Sequence, residues 1–366
     1  MDGSTERPRA QVGVVVLALA LLAALASAVA ASGGSLRSLS YVLIGVGLGV
    51  TLLGTDFGFA GTFRRAVVDR DLSGLRAHLP TFALAMLLIV PMIAAGEVLG
   101  VPTEGLAHGV GVAFLLGAVL FGTGMQLAGG CASGTLYQLG GGGSKHVGTL
   151  GGFVLGSVLA ASHITLWWGL PALPVVTLFS LGPWPLALAL ELALMGLAFR
   201  ALGPGLPPRR LLLGGALLAT LDAATVLVSG HPWSETWGFT LWGAQLAAAA
   251  GAHPGEWRFF RDAAFDVSPF VDRTSIMDLA IPTGALLAAG VLGRFQLDRA
   301  TPRAWVAATL GGTLMGYGAR LSGGCNIGAY FSAIASGDLS GWAWALAALG
   351  GSYLGVRLRA RIEPRR

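Results

Sequence analysis

A chain of 366 residues that is 54% hydrophobic and only 11% charged, with 57 glycines, is not a soluble globular protein, in which about a quarter of residues are charged. It reads as an all-α polytopic membrane protein, because a hydrocarbon core about 30 Å thick takes roughly 20 apolar residues per helix. The net charge of +5 is therefore no sign of nucleic-acid binding: basic residues of such proteins gather on the cytoplasmic side of the lipid bilayer.

Residues 1–11 are polar and carry Arg7 and Arg9. Val12 to Ala31 is a continuous apolar run ending in small residues, Ala26-Ser-Ala-Val-Ala-Ala-Ser32. That ending resembles a signal-peptide cleavage site, but the run is long enough to span, and the expectation is an uncleaved extra helix over 12–31. Further spans are expected at Tyr41–Gly54, Pro80–Ala95, Leu106–Leu127, Val147–Leu166, Pro185–Ala201, Leu211–Val228, Thr240–Ala250, Ile276–Leu292, Ala304–Leu321 and Trp342–Leu358. Tyr41–Gly54 and Thr240–Ala250 are short for a full crossing, and Thr135–Leu139 and Ala329–Ala335 are shorter still. The tail 357–366 carries Arg357, Arg359, Arg361, Arg365 and Arg366, which predicts a cytoplasmic C-terminus.

One stretch is written twice: Gly122-Thr-Gly-Met-Gln-Leu-Ala-Gly-Gly-Cys131-Ala-Ser-Gly134 and Gly316-Tyr-Gly-Ala-Arg-Leu-Ser-Gly-Gly-Cys325-Asn-Ile-Gly328. The two share five glycines, a leucine and the cysteine, and Cys131 and Cys325 are the only cysteines of the chain. At the same offset Gly117 matches Gly311, Leu120 matches Leu314, Ala113 matches Ala307, and Phe63-Arg64 lines up with Trp257-Arg258. One membrane domain is thus read as repeat 1 over 41–160, connecting helices over 161–235 and repeat 2 over 236–356, with an inverted relation expected between the copies. Short, glycine-interrupted segments at matching places in two halves point to a transporter's binding site.

Each motif ends an apolar helix in a glycine pair, Gly129-Gly130 or Gly323-Gly324, and then begins a short segment. Glycine accommodates left-handed turns, and non-helical backbone at membrane depth persists only inside protein or beside a wet cavity. The expected picture is two broken helices meeting near the membrane centre, each offering a thiol and N–H groups that favour an anion. Asn326 and Ser133 add side-chain donors, and Gln126 and Arg320, equivalent in the repeat, sit about one turn before the cysteines. Two cysteines cannot build a four-ligand metal site and the six histidines show no ligand spacing, so neither metal nor cofactor is expected. Close packing is the ordinary use of small-residue motifs; repetition with the only two cysteines favours a site.

At these residues the chain resembles the YeeE/YedE family of bacterial inner-membrane proteins, from about Tyr41 onward. The specific likeness lies in Gly-Gly-Cys-Ala-Ser-Gly, Gly-Gly-Cys-Asn-Ile-Gly and the Ser-Gly-Asp-Leu-Ser-Gly-Trp stretch at 336–342. The resemblance implies an hourglass-shaped helical transporter for the thiosulfate ion, with thiols at the centre handing the ion across and no enzymatic step. That role falls on Cys131 and Cys325. Family members can carry a third cysteine near the stretch that here reads Gly-Phe-Ala60-Gly-Thr, and this chain has none there. A cytoplasmic sulfur-carrier protein is a further partner the resemblance implies, on a separate chain. Thiosulfate is a dianion, so neutral S–H donors suit it and thiolates would repel it; the thiols are expected to stay protonated when the ion is bound. Another sulfur or selenium species is the near alternative. A membrane thiol oxidoreductase or sulfurtransferase is the distant one, although the cysteines form no C-x-x-C.

Three other features draw attention. Glu191 and Asp222 lie in apolar spans, where an ionisable group is a functional hypothesis by default; both fall outside the repeats, which favours a role in holding helices together. Gly140–Gly143 before Ser144-Lys145 lacks P-loop spacing and a preceding strand and reads as a flexible turn. Trp167-Trp168, Trp184 and Trp342 near span ends read as interfacial anchors.

Overall fold

The computed structural model describes residues 9–261 and 263–362; Arg7, Arg365 and Arg366 of the charge reading lie outside the described residues. The helices are α1 (Val12–Ala31), α2 (Leu36–Thr55), α3 (Phe59–Val68), α4 (Ser73–Ala95), α5 (Val112–Ala128), α6 (Ala132–Gly140), α7 (His146–Ser162), α8 (Thr165–Trp168), α9 (Trp184–Ala201), α10 (Arg209–Ser229), α11 (Thr236–Ala249), α12 (Arg273–Val291) and α13 (Pro302–Leu321). A π-helical segment, Asn326–Ser332, then leads into α14 (Ala333–Ala335) and α15 (Ser340–Ile362). Sheet among the described residues is one small hairpin, Glu97–Val98 paired with Val101–Pro102.

Among the described residues seven stretches are long and apolar enough to cross a membrane: α1, α2 with α3, α4, α5 with α6, α9, α10 and α12. The chain is a multi-pass membrane protein. Its outer faces carry Leu43, Leu155, Leu186 and Leu346, all strongly exposed, as suits a protein whose solvent is lipid. The second span is longer than the sequence suggests, because α2 starts at Leu36 rather than Tyr41 and runs 20 residues. By contrast α11 has only 14 residues and remains short. α1 is tied down at its start: Gln11 Nε2 donates to the Phe295 carbonyl at 3.0 Å, and its Oε1 accepts from Phe295 N–H at 3.0 Å.

The duplication is visible in the packing. α13 packs on α7 just as α15 packs on α5, and α12 packs on α2 as α4 packs on α10. The crossing of α5 with its own equivalent, α13, gives the relation between the halves. A Cβ on Gly117 would lie 2.6 Å from the Gly318 carbonyl, and one on Gly311 would lie 2.6 Å from the Gly124 carbonyl. As α5 runs from Gly117 to Gly124, its partner therefore runs from Gly318 back to Gly311. Equivalent helices that cross antiparallel mean inverted copies, and the glycines are what let the two backbones touch.

α10, which the sequence reading leaves among the connecting helices, packs like α2. Both end in a left-handed cap, Asp56 at φ 54° and Gly230 at φ 79°. A short buried-start helix follows each (α3, α11), then a helix with an internal proline, at Pro80 and Pro91 in α4 and at Pro282 in α12. Phe63-Arg64 sits in α3, whereas Trp257-Arg258 lies in the 3-10 turns between α11 and α12. The two pairs are not equivalent. Connections of unequal length shift the offset upstream of α5 and α13.

Candidate functional site

Both cysteines are buried N-caps at helix breaks. Gly129 at φ 78° and Gly323 at φ 73° terminate α5 and turn the chain after α13, and neither conformation suits a residue with a Cβ. Cys131 at φ −87°, ψ −164° and Cys325 at φ −98°, ψ −168° then enter the next segment in extended backbone. In each copy the sulfur takes the cap position of a serine or asparagine oxygen. Gly134 N–H donates to Cys131 Sγ at 3.4 Å, and Ile327 N–H donates to Cys325 Sγ at 3.3 Å. The N–H groups expected to face an anion are thus partly occupied by the thiols. The second segment is π-helical, a rare form frequent at functional sites.

The two turns meet through a residue the motif does not contain. Cys131 Sγ lies 3.3 Å from Ser133 Oγ, and Ser133 backbone N–H points toward the carboxyl of Glu235. Cys325 Sγ donates to Glu235 Oε2 at 3.6 Å. A continuous line of polar contacts therefore runs from one thiol to the other across the halves. Asn326 is at the same junction, its Nδ2 3.7 Å from Met125 Sδ and its Oδ1 buried without a protein partner. Tyr330 of the π-helical segment packs at ring-centroid distances of 4.9 Å from Phe82 and 6.0 Å from Trp344, closing the surroundings with aromatic rings. Both thiols are free.

Gln126 and Arg320 occupy equivalent positions with different chemistry. Each reaches from the end of its helix to the start of the short helix of its own half. Gln126 Nε2 donates to the Ala60 carbonyl at 3.1 Å and to Ser352 Oγ at 3.4 Å; Arg320 Nη2 donates to Thr236 Oγ1. Gln126 is spent on these bonds, so its contribution is to hold α3 against the motif. Gln126→Ala leaves buried groups unpaired and is expected to cost about 1–3 kcal/mol, read as a lower unfolding temperature in detergent. Arg320 instead lines a pocket of about 460 Å³ together with His108, Phe114, Trp167, Phe259 and Gly323. Its guanidinium lies 5.5 Å over the Phe259 ring, and its Nε has no partner among the described residues.

A second pocket, of about 130 Å³, opens on Cys131 and is lined by Asp56, Ala60, Arg65, Gly130 and Gln138 among others. Lys145 and Arg359 close in on Gly129 from the same side, Arg359 donating to the Gln126 carbonyl at 3.3 Å. Basic groups thus stand at both ends of the thiol line: Arg320 and His108 beyond Cys325, and Arg65, Lys145 and Arg359 beyond Cys131. Ala60 lines the same pocket as Cys131.

Three residues of this region escape a reading of the sequence. Glu235 is the counterpart of Gly58, since both are N-caps of the short helices, and no similarity marks the pair. Asp278 is buried in α12 with neither carboxyl oxygen partnered. His108 is oriented by Asp338, its N–H and Nδ1 lying 2.9 and 3.2 Å from Oδ2.

Glu191 and Asp222 join helices. Glu191 Oε1 accepts from Trp342 Nε1 at 2.8 Å, which makes Trp342 a half-buried link between α9 and α15 rather than only an interfacial anchor. Asp222 accepts from Trp233 N–H at 2.7 Å and from Ser332 Oγ at 3.3 Å. The Gly140–Gly143 stretch is a fixed turn, because Asp298 N–H donates to the Gly142 carbonyl at 3.0 Å. On this loop, outside the spans, hydrogen bonds from Ser144 hold the Asp298 carboxyl below its usual range.

Fold and site together define a duplicated, inverted, multi-pass helical membrane protein with a thiol-capped helix break in each half, the architecture of a membrane transporter. A family model described as sulphur transport matches residues 54–204 and again 206–354. The chain belongs to this sulphur-transport family, the YeeE/YedE family. It is 34% identical over 131 residues to the "Probable transporter YedE" of Escherichia coli, covering 36% of this chain and 33% of that protein; the chain thus spans about a third of the length of this relative. Over a longer range it is 27% identical to the "Thiosulfate transporter TsuA" of Spirochaeta thermophila, covering 82% of this chain and 92% of that protein. The TsuA of Escherichia coli is 24% identical over 83% of this chain and 89% of its own length.

Proposed function

We propose that this protein takes up thiosulfate across the bacterial inner membrane, with Cys131 and Cys325 passing the ion between them through weak S–H hydrogen bonds. The observation that carries the reading is the contact line Cys131–Ser133–Glu235–Cys325, with basic side chains at both ends. Relatives named as thiosulfate transporters over most of their length support the substrate. The chemistry agrees with it. Thiosulfate carries two negative charges and a soft terminal sulfur; basic mouths attract it, and S–H donors bind weakly enough to let it leave. No covalent bond forms on this reading, so the protein is not an enzyme.

The positive-inside rule assigns the α15 end, with Arg357, Arg359 and Arg361, to the cytoplasm. On that orientation the ion enters past Arg320 and His108, reaches Cys325, then Cys131, and leaves beside Arg65 and Arg359, where a cytoplasmic sulfur-carrier protein would receive it. Arg320→Met is expected to raise the half-saturating concentration about 10- to 100-fold, the loss of one hydrogen bond to a charged group, and to weaken the salt dependence of uptake.

Growth on thiosulfate as sole sulfur source, in cells lacking their own importers, tests the substrate. Growth restored by the wild-type chain supports the reading. No growth despite membrane-inserted protein contradicts it, and uptake of selenite or sulfite in the same cells would reassign the cargo.

A further inference from the structure

The thiol line contains a carboxyl that an anion path would not be expected to tolerate. Glu235 is fully buried, its Oε2 accepts from Cys325 Sγ, and its Oε1 has no protein partner. Asp278 on the neighbouring α12 is also fully buried, with both oxygens unpartnered among the described residues. The two carboxyls feel each other electrostatically. α11 and α12 meet closely here: a Cβ on Gly238, in the first turn after Glu235, would lie 2.6 Å from Asp278 Oδ2. The other ionisable groups facing this pair are Cys325, Cys131 of the α6 turn, and Asp272 at the start of α12. Arg320 of α13 donates to the adjacent Thr236 hydroxyl and faces Cys325 rather than either carboxyl. Among the described residues neither carboxyl is in an ion pair.

Two carboxylates buried at one α11–α12 contact with no cation paired to them are costly to charge together in a dry interior, which favours a proton held on the pair. A dianion arriving at Cys325 adds negative charge to the same spot, which it can occupy only if the pair takes up a second proton. We infer that Glu235 and Asp278 form a proton-loading pair that carries one proton inward with each anion, making uptake a proton symport. The inference rests on the reading of the thiol line as an anion path. The proton adds to a carboxylate oxygen from the Cys325 side as the anion enters, and the resulting O–H donates to the anion alongside the two S–H groups. It leaves to water on the Cys131 side once the anion has passed, and the carboxylate is restored. Only an O–H bond is made and broken, and nothing is oxidised or reduced. Ionisable groups inside membrane proteins serve as proton relays of this kind.

The full chain in liposomes, with the membrane potential clamped at zero by potassium and valinomycin, decides the matter. Under an outside-acid gradient of one pH unit, wild type is expected to accumulate labelled thiosulfate roughly tenfold, the factor that one proton per anion supplies, and to acidify a trapped pH dye as it does so. Glu235→Gln is expected to bring the final inside-to-outside ratio to one. If that variant does not purify as folded protein, Asp278→Asn answers the same question, because the carboxyls act as a pair. Wild-type entry that stops at a ratio of one, or tenfold accumulation by either variant, overturns the inference and leaves the thiosulfate reading standing. No thiosulfate entry by folded wild type at any pH overturns both.

Discussion

Replacing either cysteine by alanine is expected to cut thiosulfate uptake about 10- to 100-fold, the range set by losing one hydrogen bond to a charged group. The two sites lie in series along one line of contacts, so the double variant should be little worse than the poorer single one. Each sulfur also has a structural task as the cap acceptor for Gly134 or Ile327 N–H. Alanine leaves those donors unpaired, at a cost of about 1–3 kcal/mol. Serine keeps an oxygen at the cap and so separates the two roles. Cys131→Ser and Cys325→Ser are expected to restore the unfolding temperature toward wild type while uptake stays several-fold low, because the harder hydroxyl is a poorer match for the terminal sulfur. Uptake rates in liposomes, read beside thermal unfolding in detergent, check both halves. Wild-type uptake by the double serine variant would reduce the cysteines to caps.

A comparable effect on assembly is expected at the crossing of α5 with α13. Gly117 and Gly311 are equivalent in the repeat, and each lies against a backbone carbonyl of the opposite helix, so the obstacle to a side chain is backbone that cannot rotate away. Gly117→Leu or Gly311→Leu is expected to cost about 3 kcal/mol or more, the upper end for overpacked cores, and to yield protein that aggregates on extraction. Gly151 and Gly350 provide the control, since a Cβ at either meets nothing within 4 Å. Gly151→Ala and Gly350→Ala should be neutral or stabilising by up to about 1 kcal/mol. Size-exclusion profiles and unfolding temperatures of the four variants test the contrast.

That contrast also shows where sequence stops being informative. Gly151-Gly152 and Gly350-Gly351 look alike on paper, yet Gly152 and Gly351 pack against backbone while their neighbours face outward. The two cysteine motifs were legible because their glycines and thiols answer one local demand, a helix break capped by sulfur, that both halves share. The pairing of α10 with α2 was hidden by unequal connections: two residues separate the left-handed cap at Asp56 from α3, against five between Gly230 and α11. Glu235 was hidden for a related reason. It is a cap residue whose counterpart is Gly58, so the duplication that made the motifs conspicuous offers no second copy of it. Asp278 and His108 acquire meaning only from neighbours distant in the chain, Asp278 beside Glu235 and His108 on Asp338.

The central claim is that the ion touches both thiols and leaves them chemically unchanged. Its most direct test is intact-mass and peptide analysis of Cys131 and Cys325 during thiosulfate turnover, combined with alkylation by a small methanethiosulfonate reagent. The account predicts that both cysteines remain free thiols throughout turnover and that thiosulfate slows alkylation of each by at least several-fold. A Cys131–Cys325 disulfide or a sulfur adduct building up during turnover, or alkylation indifferent to thiosulfate at both sites, would contradict it.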